Sequence, residues 1–132
     1  MPTAPELTPE PLLVVCLCAQ WCQVCEQYRH TFTRVHQQVK AEHPHCRFLW
    51  FDIEDNADVL DPLDVENFPT LFLAAGRVPV FFGAITPQPQ TLERLVRSAL
   101  QDPVARGLPD PAVTALAARL HAWSADQGKA LA

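Results

Sequence analysis

Four of the five cysteines in this 132-residue chain, Cys16, Cys18, Cys22 and Cys25, fall within ten residues. The informative stretch is Trp21-Cys22-Gln23-Val24-Cys25. It lies where an apolar, strand-like run ends and a helical pattern begins. Backbone N–H groups at a helix start are unpaired, and the helix dipole favours negative charge there. A thiolate at Cys22 is therefore favoured, which is the condition for attacking a disulfide near neutral pH. Cys25, one turn later, is within bonding reach of Cys22 and falls on the apolar stripe of the helix. That asymmetry assigns Cys22 as the exposed attacking thiol and Cys25 as the shielded thiol that resolves a mixed disulfide. The bland alternative is a pair of ordinary cysteines buried near a helix start. The strand before, the helix after and a reducing compartment favour the redox reading.

Cys16 and Cys18 are two apart on a strand, so both side chains point to one face. They could exchange disulfides with Cys22 and Cys25 or join them in a four-cysteine zinc site. The favoured expectation is two small apolar core residues, since free cysteine is among the most buried types. No metal site is expected: all-cysteine zinc sites usually join two separate C-x-x-C knuckles. His43-Pro44-His45-Cys46 follows a helix and has no fourth ligand near in sequence. Glu54, Asp55, Asp58, Asp61, Asp64 and Glu66 read as a solvated acidic loop, with a preference for basic partner surfaces as the second possibility.

These residues need elements to position them. Leu12–Ala19 is short, apolar and rich in β-formers, the pattern of a strand buried on both faces. Cys25, Tyr28, Phe32, Val35 and Val39 form one helical stripe running to about Glu42, and Pro44 ends it. Phe48–Ile53 is the next strand, so a βαβ unit with parallel strands and a right-handed crossover is expected. A short helix fits around Asn56–Leu60. Thr70–Ala75 and Val78–Phe82 form an antiparallel hairpin about Gly76, with Pro79 marking an edge strand. Thr91–Leu100 carries the stripe Leu92, Leu95, Val96 and Ala99. A last helix opens with Asp110 as N-cap and Pro111 at its first position, with the stripe Val113, Leu116, Leu120 and Trp123.

Composition narrows the class. With 48% hydrophobic and 19% charged residues the chain is a globular domain rather than a disordered one. Its net charge of −5 lacks the footprint of a nucleic-acid binder. No apolar run reaches the roughly 20 residues that span a bilayer. Leu12–Ala19 is preceded by Glu6 and Glu10 and by no Lys or Arg, unlike a secretory leader. A cytoplasmic protein whose thiols are mostly reduced is the expectation. The organisation reads as a Pro-rich arm over 1–11, a domain over 12–101 and a helical extension over 102–132.

The chain resembles the thioredoxin family. The matching residues are Ala19-Gln20-Trp21-Cys22-Gln23-Val24-Cys25, then Phe68-Pro69-Thr70-Leu71-Phe72-Leu73, then Gly76 and Gly83. The resemblance covers residues 12–100 and implies an α/β, thioredoxin-like fold: a central mixed sheet flanked by helices, here with an extra C-terminal helix. It also implies a cis peptide before Pro69, facing the dithiol; the residues alone equally allow a trans proline opening a strand. By the resemblance Trp21, Phe68 and Pro69 shape the substrate contact, and Gln23 and Val24, in place of the family's Gly-Pro, tune the thiols. Three departures stand out. The Pro-rich start cannot supply the family's first helix. The family's buried acid, six residues before the first cysteine, is Cys16 here, and its partner lysine aligns with Trp50.

The resulting reading is a monomeric protein thiol–disulfide oxidoreductase needing no bound cofactor. Cys22 and Cys25 form the catalytic couple, with Gln23, Val24, Cys16 and Cys18 as modulators. Its partners are protein disulfides and a reductase or small thiol that supplies electrons. The rival is a thioredoxin-like binding or chaperone-type module with little redox activity. The final helix must bury its stripe against its own domain or a partner, and self-packing is the simpler case.

Overall fold

The computed structural model describes residues 12–19, 21–61, 63, 65, 67–76, 78–101 and 108–127. The Pro-rich arm, Gln20, Asp64, Glu66 and the 102–107 connection with Pro103 and Gly107 lie outside the described residues. Four strands form one sheet in the order β2-β1-β3-β4: β1 (Leu12–Cys18), β2 (Arg47–Asp52), β3 (Thr70–Ala75) and β4 (Val78–Ala84). The helices are α1 (Gln23–Glu42), α2 (Ala57–Leu60), α3 (Pro89–Gln101) and α4 (Pro111–Gln127). β1 is central and buried along its whole length. It runs parallel to β2, with Cys16 opposite Trp50, and antiparallel to β3, with Cys16 opposite Leu71.

The alternation of β1 sorts its side chains onto two faces. Leu12, Val14, Cys16 and Cys18 join Cys25, Tyr28, Phe32, Val35 and Val39 of α1 and Leu92, Val96 and Ala99 of α3 in one cluster. Leu13, Val15 and Leu17 join Leu49, Phe51, Phe72 and Ala74 in the other, covered by Val113, Leu116, Ala117 and Leu120 of α4. Burying those four α4 side chains is worth on the order of 5–9 kcal/mol before the entropy of ordering the helix. Trp123 sits at the rim of this second face, its ring edge against Phe51 with centroids 4.9 Å apart.

The hairpin pairs β3 and β4 antiparallel, with Gly76 at the turn in the left-handed conformation (φ 60°). Its carbonyl is bonded by the His121 side chain of α4. β4 is the edge strand, as Pro79 requires, and a register shift between Leu73 and Ala74 accommodates it. The Pro79 carbonyl accepts a hydrogen bond from the Leu108 amide (2.8 Å), drawing the segment before α4 across this edge.

Two boundaries differ by two residues from the sequence expectation. β4 continues to Ala84 because Gly83 and Ala84 still pair with Leu71 and Thr70. α3 begins at Pro89, two residues early, since proline's missing N–H costs nothing in a first turn. α4 begins where expected: the Asp110 carboxylate accepts from the Ala112 amide at 2.8 Å and caps it.

Candidate active site

Cys22 is the N-cap of α1, with an extended backbone (φ −90°, ψ 118°) and a half-buried side chain. Its amide donates to the Ala19 carbonyl at 3.1 Å, closing the turn between β1 and the helix. No side-chain cap occupies the first turn. Gln23 and Val24 are exposed, whereas Cys25 is buried on the inner stripe of α1. The two thiols of the motif are thus placed differently towards solvent, the arrangement that division of labour between them requires.

The contact surface beside Cys22 is built by a chain of local bonds. The Asp52 carboxylate at the end of β2 accepts from the amides of Glu54 (2.8 Å) and Asp55 (3.1 Å). This turn aims Glu54, whose carboxylate accepts from the Trp21 indole N–H at 2.9 Å. Trp21, 65% exposed, meets the Phe68 ring edge-on at 5.6 Å. The Phe68–Pro69 peptide is cis, the form that the resemblance implies. The Pro69 carbonyl accepts from the Ile85 amide (3.1 Å), tying the loop to the end of β4. Trp21, Phe68 and the half-buried Cys22 therefore share one surface.

The pairing of the cysteines differs from the expected couple. Cys25 is disulfide-bonded to Cys18, and Cys22 is a free thiol. Cys18 is therefore more than a small apolar core residue. The reason is geometric: the even residues of β1 and the buried stripe of α1 meet on one face, bringing the two Cα atoms to 5.8 Å, within the usual disulfide range. Cys16 lies beside them, its Sγ 3.8 Å from that of Cys18. A disulfide sulfur carries no hydrogen, so the Cys16 thiol is the donor in this contact.

Burial holds the Cys16 thiol well above the ordinary cysteine range, against a smaller opposing effect of the Arg29 charge. Arg29 lies over the Trp50 ring at 5.1 Å, above the strand partner of Cys16. Cys46 is likewise buried, and its thiol is pushed up to about 12. Both are neutral thiols at neutral pH. His43 and His45 are exposed while Cys46 points into the core, so the His-Pro-His-Cys stretch does not converge.

Two side chains with structural roles, His36 and Arg119, carry no motif or stripe signal in the sequence. His36 is buried in α1, stacked on Phe48 at 4.7 Å, and its Nδ1 has no hydrogen-bond partner. The Tyr28 hydroxyl is buried without a partner too. Arg119 of α4 donates from Nε to the Val59 carbonyl (2.6 Å), holding the end of α2.

The family model for thioredoxin matches residues 6–95, and the chain belongs to the thioredoxin family. Similar solved structures agree on the fold. Human ERp44 in its zinc-bound form superposes with a TM-score of 0.60 at 19% identity, over 71% of this chain and 28% of that one. The chain thus spans less than a third of ERp44. Mitochondrial thioredoxin 3 from Saccharomyces cerevisiae, in its oxidized form, gives 0.56 at 22% identity, over 67% of this chain and 79% of that one. The germline-specific thioredoxin Deadhead of Drosophila melanogaster gives 0.59 at 16% identity, over 71% and 86%. No curated protein matches the sequence.

Proposed function

We propose that this protein is a thiol–disulfide oxidoreductase that reduces or exchanges disulfides in protein substrates. The observation that carries the reading is the placement of Cys22. Among the four clustered cysteines it alone is accessible from solvent, at the N-terminus of α1 beside the exposed Trp21. Cys22 attacks a substrate disulfide, and Cys25, once reduced, attacks the resulting mixed disulfide and releases the substrate as a thiol. Trp21, Phe68 and Pro69 form the contact surface, and a reductase or small thiol returns the electrons. The working form in this reading is a monomer in a reducing compartment such as the cytoplasm.

A specific observation favours the rival, a binding module with weak redox activity. The position where the family carries its buried acid holds Cys16, a neutral thiol facing Trp50 rather than a carboxylate facing lysine. Insulin reduction coupled to dithiothreitol discriminates the two. Turnover that falls about 100-fold or more in Cys22→Ser, with an unchanged denaturation midpoint, supports the oxidoreductase. A wild type no faster than the variant supports the binding module.

A further inference from the structure

The disulfide and the solvent-accessible thiol are on the same few residues yet do not coincide. Cys25 is bonded to Cys18 across the strand–helix interface, and both side chains are almost fully buried. Cys22, one helical turn before Cys25, is free and packs against the same cluster. Cys25 is therefore bonded to one sulfur behind it on β1 and stands one helical turn from a second cysteine at the helix start. We propose that Cys25 is an exchange point between these two partners, so that a buried disulfide is converted into an exposed one without any external oxidant. The Cys22 thiolate attacks the Cys25 sulfur, the Cys22–Cys25 bond forms, the Cys25–Cys18 bond breaks, and Cys18 leaves as a thiolate. Cys22 gives its proton to solvent and Cys18 takes one up, so one disulfide and one thiol stand on each side of the step.

Cys16 assists as a positioning residue. A thiolate released in an apolar interior is costly unless a donor is already aimed at it. The Cys16 thiol, 3.8 Å from the Cys18 sulfur, is that donor. Burial keeps its proton in place. The pair Cys18–Cys25 is then a shielded two-electron oxidant, which small thiols reach only through Cys22.

The inference rests on Cys22 being the attacking thiol, and the experiment separates the two ideas. Oxidised full-length protein is equilibrated, denatured, alkylated with N-ethylmaleimide and digested with chymotrypsin, which cuts after Trp21. The buried isomer yields two linked peptides with Cys22 labelled; the exposed isomer yields an internal loop with Cys18 labelled. Both isomers are expected in wild type, and finding one alone overturns the proposal. Reduction of the native disulfide by dithiothreitol is expected to slow at least about tenfold in Cys22→Ser. An equal rate also overturns it. Cys16→Val should slow the wild-type reduction and Cys16→Ser, which keeps a donor, should restore it; a Val variant as fast as wild type removes Cys16 from the step. Cys18→Ala retains only the Cys22–Cys25 couple. If it reduces insulin while wild type shows one isomer, the exchange fails and the enzymatic reading stands. If neither protein reduces insulin while both isomers are mapped, the reverse holds.

Discussion

The two faces of the sheet are built from one central strand yet have opposite chemistry. On the α1 and α3 face, Cys16, Cys18, Cys25 and Cys46 lie among aromatic and aliphatic side chains, with Cys22 at the margin. The α4 face contains no sulfur among its described residues, only Leu, Val, Ala and Phe with rim contacts from Trp123 and its neighbours. A period of two along Leu12–Cys18 is enough to separate them. On the proposed reading one face changes its covalent bonds while the other supplies packing that such changes do not touch. The comparison teaches that a cluster of thiols and the packing of the C-terminal helix need not compete for the same residues.

Substitutions can break or sharpen that separation. The largest effect is expected from Leu116→Ala, a fully buried α4 side chain on the inert face. It should cost about 2–5 kcal/mol in urea unfolding. Insulin reduction per folded molecule should stay at the wild-type level; a proportionate loss of turnover would mean that the faces are coupled. A smaller effect belongs to Asp110→Ala, which removes the α4 cap and should lower stability by about 1 kcal/mol. Hydrogen exchange should rise first in the opening turn of α4, and uniform exchange across the domain would contradict a local role.

The smallest effect tests the thiol-bearing face through a group that takes no part in the chemistry. Burial, with a lesser push from the Lys40 charge, lowers the pKa of His36 from its ordinary 6.5. The imidazole is therefore neutral in the folded state and protonates more readily once unfolded. Stability from this residue is full above about pH 6.5 and is lost as pH falls below it. Wild type should lose more stability than His36→Phe between pH 7 and pH 5. Parallel losses in the two proteins would count against the assignment.

Periodicity makes most of the fold legible in the sequence. The stripe from Cys25 to Val39, the apolar runs of β1 and β2 and the Asp110-Pro111 start all depend on neighbours close in sequence. The Trp-Cys-Gln-Val-Cys motif likewise marks the helix start and the more accessible of its two cysteines, half-buried rather than exposed. The partner of Cys25 was not legible, because it depends on how α1 lies across β1. Cys16 and Cys18 could be placed on one face, but not within bonding distance of a particular helix residue. His36 was hidden for a similar reason. Its burial comes from stacking on Phe48 of a neighbouring strand, which no helical pattern of polar residues announces.

The position of α4 in the chain has a consequence for biosynthesis. The sheet is complete at Ala84, whereas the helix that covers one of its faces ends at Gln127. At about 5–20 residues per second, a ribosome needs several seconds to make the intervening stretch. Until α4 has been made and docks, a sheet formed by the preceding residues presents Leu13, Val15, Leu17, Phe51 and Phe72 without its cover. The order of synthesis therefore makes the uncovered intermediate a binding opportunity for chaperones. It also makes the last helix the step that ends the chain's exposure to its neighbours.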